Sequence, residues 1–204
     1  EKSIELNFCS GLSRSRFRPL FWFGLTQKQE ARAGFDVAAR LGARLVLFQI
    51  KASNHVMSRS GARRFRASHS QLRALQDRVG RSRSIYYVFP AFGSTGDLPT
   101  LRDPLASMWL LDVADLPTPM PPPTKSAGGL RKSGIHYVDL TPPVATIHSD
   151  PVEVYLQNAA EYASLALRDG VGFAADDAVG KFSSEVDLAV SEYFTGSAVG
   201  VALL

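Results

Sequence analysis

Two periods organise the hydrophobic residues of this chain. Near its start, Ile4, Phe8 and Leu12 recur at every fourth position, the spacing of one face of an α-helix. That predicts a helix over 3–17, stopped by Pro19, whose ring and missing N–H break helices. Thr26 and Gly34 then suit the cap and stop of a short second helix. From residue 35 the period changes. FDVAARL (35–41) and ARLVLFQIKA (43–52) are apolar runs joined at Gly42, which predicts two strands in a hairpin. Phe65, Leu72, Leu75 and Val79, closed by Gly80, predict a helix over 63–80. SIYYVFPAF (84–92) is aromatic and β-branched and reads as another strand. Strand, helix and strand in that order form a crossover unit, which normally joins parallel strands.

Beyond residue 97 the periodicity weakens. SMWLLDVADL (107–116), GIHYVDL (134–140) and VATIHS (144–149) read as strands. Asp150 as N-cap and Pro151 at the first helical position predict a helix running to Gly170. A last helix is expected over 176–194, interrupted by Gly180. PTPMPPPTKSAGG (117–129) is a Pro/Gly-rich loop with no core of its own. The expected fold is α/β (α+β), with a mixed central sheet of about five strands flanked by helices. Residues 1–97 hold its better-patterned core. Residues 98–204 either complete the same domain or elaborate it, and the Pro-rich loop 117–123 and the terminal AVGVALL are candidate contact surfaces.

Composition narrows the function classes. A chain of 204 residues suits one domain with a substantial core. It contains no run of about 18 apolar residues, so no membrane span is expected. Its start lacks the basic and then apolar pattern of a signal peptide. Cys9 is the only cysteine, which excludes an intrachain disulfide and a cysteine zinc site and fits a reducing cytoplasm. It lies on an apolar helix face with no neighbouring base, so it reads as a core thiol. His55, His69, His136 and His148 have no mutual ligand spacing. FGSTGD (92–97) lacks the Gly-Lys-Ser/Thr of a phosphate-binding loop. Net charge is +4, and between Arg14 and Arg83 the only acids are Glu30, Asp36 and Asp77. That half could attract a polyanion.

Three polar residues interrupt the hairpin strands: Asp36, Gln49 and Lys51. Buried without partners they would be costly. Either they face solvent at a sheet edge, with Asp36 paired to Arg40 or Arg44, or they converge on something. A hairpin turning at Gly42 brings Asp36 beside the end of the second strand, and Gln49 and Lys51, two apart, share one face. A carboxylate with amide or backbone carbonyl oxygens suits Mg²⁺, a hard, oxygen-seeking ion. A nearby lysine could stabilise a charged transition state. Glu30, and Glu5 in the first helix, are further acids.

The order of these residues carries a resemblance. A helical glutamate (Glu5 or Glu30), Gly34-Phe35-Asp36, a hairpin, Gln49-Ile50-Lys51, the helix segment SHSQLRALQ and an aromatic strand follow one another. This resembles the PD-(D/E)XK nuclease superfamily, the restriction-endonuclease-like fold, in the Gln-x-Lys form of Mrr-like enzymes, over residues 5 to about 90. The resemblance implies hydrolysis of phosphodiester bonds, usually in DNA, dependent on Mg²⁺ or Mn²⁺, in bacterial restriction or phage defence. It implies metal binding by Asp36, Gln49, the Ile50 carbonyl and Glu30, with Glu5 as the other helical acid and Lys51 assisting the attacking water. His69 and Gln71 would border the substrate. Arg59, Arg63, Arg64 and Arg66 would hold backbone phosphates without reading sequence. Two departures stand out: Phe35 precedes the aspartate where the pattern has proline, and Gln49 replaces the commoner acid. The rivals are a nucleic-acid-binding module with a weakened metal site, and an interaction subunit of a larger defence assembly or homo-oligomer.

Overall fold

The structure, a computed structural model, describes residues 2–14, 20–25, 30, 33–41, 44–52, 55–56, 61–79, 85–123, 134–148, 152–164 and 173–174. In chain order these contain α1 (Lys2–Arg14), β1 (Phe21–Gly24), β2 (Val37–Leu41), β3 (Arg44–Ile50), β4 (His55–Val56), β5 (Arg63–Ser68) and α2 (His69–Val79). There follow β6 (Ile85–Pro90), β7 (Met108–Asp112), β8 (Ile135–Thr141), β9 (Val144–Ile147), β10 (Val152–Tyr155), β11 (Gln157–Asn158), α3 (Ala159–Ser164) and β12 (Phe173–Ala174). Short 3₁₀ turns occupy Thr95–Thr100, Pro104–Ser107 and Val113–Asp115.

The fold is mixed α+β and carries two sheets. The first runs β1-β2-β3-β6-β7-β11, with β12 also paired to β3. The second runs β10-β9-β8-β5-β4. β2 and β3 pair antiparallel, Val37 opposite Phe48 and Leu41 opposite Arg44, as a hairpin requires. β3 and β6 are parallel, as the crossover requires.

Alternation along β3 builds two cores, one on each face of the first sheet. Val46, Phe48 and Ile50 enter a cluster with Ile4, Phe8 and Leu12 of α1, Tyr86 and Val88 of β6, and Tyr162 of α3. Phe48 sits at the centre of its rings, 5.0 Å from Phe8, 5.9 Å from Tyr86 and 6.2 Å from Tyr162. Leu45 and Leu47 enter the opposite cluster, with Leu72 and Leu75 of α2 and with Phe65, Val138, Leu140 and Ile147 of the second sheet. The first sheet is thus the middle of three layers.

Two expected helices are corrected. Residues 63–68 are strand β5, and the helix starts only at His69. Phe65 and Ala67 are buried while Arg66 is exposed, a period of two that pairing with β8 enforces. Residues 152–155 and 157–158 are strands β10 and β11, with a helix only from Ala159. Val154 turns inward between the exposed Glu153 and Tyr155, again a strand's alternation. The single sheet of about five strands becomes two, because β8 and β9 pair with β5 rather than with β7. The expected helix over 176–194 lies outside the described residues. So does most of the short helix before Gly34, of which Glu30 and Ala33 are helical. The Pro-rich loop is anchored: the buried Gln76 donates to the Pro117 carbonyl at 2.8 Å and accepts from the Met120 N–H at 3.1 Å.

Two substitutions test this packing. Phe48→Ala should cost about 3–5 kcal/mol, the range for emptying a fully buried aromatic site, read as a lower midpoint in denaturant. Gly34 has φ +82°, where a side chain costs about 1–2 kcal/mol. Gly34→Ala should lower the melting temperature by several degrees.

Candidate functional site

Asp36 lies one residue before β2, and its N–H donates to the Phe48 carbonyl at 3.0 Å, so the hairpin ladder carries on past Val37. Its carboxylate then takes over. Oδ2 accepts from the Ile50 N–H at 2.6 Å and from Gln49 Nε2 at 2.7 Å. Gln49 is 3% exposed, and its Oε1 accepts from Gln71 Nε2 of α2 at 2.7 Å. Gln71 Oε1 in turn accepts from Lys51 Nζ at 2.7 Å. Lys51 follows β3, and its N–H donates to the Val88 carbonyl at 3.0 Å, which ties it to β6. One hydrogen-bonded chain therefore joins Lys51, Gln71, Gln49 and Asp36. The Lys51 ammonium also stands 5.7 Å from the centre of the Tyr87 ring.

Burial pushes the Asp36 carboxyl up to about 6, aided by the Glu30 charge and opposed by the Ile50 N–H, the Lys51 charge and Gln49. Glu30 and Glu5 are drawn together by Lys2, whose ammonium is 2.8 Å from each carboxylate. Bonding to Glu30 and then Glu5 holds that ammonium well above its usual range. The acids expected from different helices thus share one lysine, and Glu30 acts on Asp36 through its charge.

Among the described residues no group of three or more His, Cys, Asp or Glu side chains could hold a metal ion. The oxygens that meet at Asp36 are of another kind. The Gln49 amide nitrogen lies 2.7 Å from Asp36 Oδ2 and 3.3 Å from the Ile50 carbonyl. A partial positive charge therefore already sits between two hard oxygens. Turned over, Gln49 offers a third oxygen, and carboxylate, amide and carbonyl then suit Mg²⁺ or Mn²⁺.

No protein-family model, no curated protein and no solved structure matches the chain.

The remaining site expectations fare differently. Gln71 lies inside the chain of hydrogen bonds rather than at a substrate edge. His69 is tied to His136, with Nδ1 and Nε2 sharing a hydrogen bond at 2.9 Å. Arg63 donates to the Ala91 carbonyl at 3.0 Å, at the end of β6. Arg64 forks onto Asp139 at 2.6 and 2.7 Å, and His148 meets the same carboxylate at 2.6 Å. Arg66 is exposed, its guanidinium 6.0 Å from the Tyr137 ring centre. Arg59 lies outside the described residues. Strand alternation divides the expected phosphate-binding arginines: Arg63 turns to the Ala91 carbonyl, while Arg64 and Arg66 share the face of Tyr137. Cys9 is half-buried, and burial pushes its thiol up to about 12, as befits a core residue.

Sequence reasoning missed Lys2, although its spacing to Glu5 is that of a helical ion pair. It also missed Asp139 with His148. They meet only because β8 and β9 are paired.

Two stability profiles follow. The raised Asp36 value means that its ionised form weighs against the fold above about 6, and that this penalty is gone below the unfolded value. Asp36→Asn should therefore melt higher than the parent at pH 8, with the gain fading toward pH 4. His136 is the opposite case. Burial, with His69 second, pulls it down to about 4, so the unfolded chain takes up a proton first as the pH falls. Stability should drop between the ordinary histidine range and pH 4, and His136→Gln should flatten that drop in melts taken across the window.

Proposed function

We propose that the chain is a metal-dependent nuclease that hydrolyses phosphodiester bonds in DNA, acting in a reducing cytoplasm in bacterial restriction or phage defence. One observation carries this reading. Asp36, Gln49 and Lys51, with Ile50 between the last two, meet at the end of one hairpin, in the arrangement that the resemblance to PD-(D/E)XK nucleases requires. A carboxylate kept ionisable despite burial is also what a functional site retains against stability.

In this reading Asp36, Gln49 Oε1, the Ile50 carbonyl and Glu30 would hold the cation. A divalent ion bound there supplies charge neutralisation on the phosphate and a water of lowered pKa. The rest belongs to the chain. Turning the Gln49 oxygen to the cation releases Lys51 from Gln71, and Lys51 donates toward the attacking water or the phosphoryl oxygen. Charge developing on the phosphate is stabilised by the Lys51 ammonium. The P–O bond to the leaving oxygen breaks as the water oxygen bonds to phosphorus; the water gives up a proton to solvent and the leaving oxygen takes one from solvent.

A second reading has its own support. Lys2 already neutralises Glu5 and Glu30, and Gln49 in the acid position lowers the charge offered to a cation. Both suit a module that binds nucleic acid without cutting it.

Plasmid cleavage with Mg²⁺ or Mn²⁺ separates the two. The parent should cut, and Lys51→Ala and Asp36→Asn should each lose at least about 100-fold, the scale of one electrostatic stabiliser. DNA retention without cleavage by any version selects the binding module. Cleavage that survives both substitutions places the active site elsewhere.

A further inference from the structure

Tyr87 shares the site's layer and differs from its neighbours in one respect. In the parallel ladder it stands beside Gln49, so the two side chains enter the same space between the first sheet and α2. Its ring stacks on Phe89, with centres 5.9 Å apart and planes at 18°, and lies under the Lys51 ammonium. The residue is 2% exposed. Its hydroxyl has no hydrogen-bond partner among the described residues, whereas Asp36, Gln49, Gln71 and Lys51 are all bonded. Phenylalanine would fill the same volume and present the same ring face to a cation. Packing and cation binding therefore account for the ring and leave the oxygen unexplained. Buried hydroxyls in folded proteins are satisfied by protein groups or by ordered water.

We infer that Tyr87 is a positioning residue of this site: its ring supports the Lys51 ammonium, and its hydroxyl holds a water molecule beside that ammonium. Lys51 is then held by the Gln71 oxygen and by the aromatic face, with a polar guest beside it. Burial first, and the Asp36 charge second, keep the phenol protonated, so the hydroxyl stays a donor at working pH. The catalytic consequence rests on the nuclease reading. The support and the water do not.

The experiment uses the full chain with Tyr87→Phe, which keeps the ring, and Tyr87→Leu, which removes it. The Lys51 ammonium protons are followed by ¹⁵N NMR, the melting temperature by calorimetry, and plasmid cleavage in Mg²⁺ by turnover. In the parent, the Lys51 ammonium should exchange slowly with solvent. Tyr87→Phe should speed that exchange and lower kcat at unchanged KM, each by about tenfold, the scale of one hydrogen bond. It should also melt lower. Tyr87→Leu should exceed it in all three. Identical ammonium exchange in the parent and Tyr87→Phe overturns the inference. So does a higher melting temperature for Tyr87→Phe, the mark of a dry, unsatisfied hydroxyl removed. The NMR readout needs no turnover. If the ammonium responds while no version cuts DNA, the nuclease reading fails and the assignment of Tyr87 stands.

Discussion

The hydrogen bond from the Ile50 N–H to the Asp36 carboxylate is the constraint on which the rest of the site turns. Up to Phe48 the two hairpin strands satisfy each other through main-chain bonds. Before Asp36 the chain leaves the ladder at Gly34, in a left-handed conformation that glycine adopts without strain. β3 runs on, buried, with a donor that the departing strand no longer meets. A buried N–H left alone would cost about 1–3 kcal/mol. Asp36 supplies the acceptor from its side chain. A carboxylate is thereby drawn into a half-buried position where its charge is disfavoured, and every polar neighbour that tempers that charge follows.

Satisfying the edge of one strand thus creates chemistry. β3 has apolar neighbours on both faces, so a polar side chain there must bring its own partners. Gln49 meets Asp36 along the hairpin and Gln71 across the layer. α2 is the element that makes this possible. Leu72 and Leu75 seat it on the apolar layer, and the turn that carries them also carries Gln71. The same packing that buries the helix's leucines sets the amide between Lys51 and Gln49.

Local pattern made part of this legible. The hairpin, the parallel crossover and the convergence of Asp36, Gln49 and Lys51 follow from a two-residue period, one turn glycine and the topology rule for strand–helix–strand units. What was lost depended on pairing across long separations. RRFRAS has arginines that any helix tolerates, and only β8, some 75 residues away at Arg64 and Asp139, makes it a strand. Asp-Pro at 150–151 is a strong helix start by local rules, yet the residues after it alternate, and β9 accepts them as β10. The strands β8 and β9 of the second sheet were legible, but their pairing with β5 was not, for the same reason. Its consequence for the arginine-rich segment is direct: on a strand, Arg64 and Arg66 share the Tyr137 face and Arg63 turns to the other.

The direction of the amide chain carries a last consequence of its own. Each link donates the same way: Lys51 to the Gln71 oxygen, the Gln71 nitrogen to the Gln49 oxygen, the Gln49 nitrogen to Asp36. The two amide dipoles therefore align between a cation and an anion, and each bond polarises the next. Turning Gln49 alone would set its nitrogen against the Gln71 nitrogen, two donors face to face. Turning Gln71 with it would set a nitrogen against the Lys51 ammonium. The chain is thus all or none, and whatever draws the Gln49 oxygen toward Asp36 must also loosen Lys51 from Gln71. With an acid at position 49, lysine and carboxylate could pair directly. With glutamine, the two charges stay apart and are linked only through amides that move together.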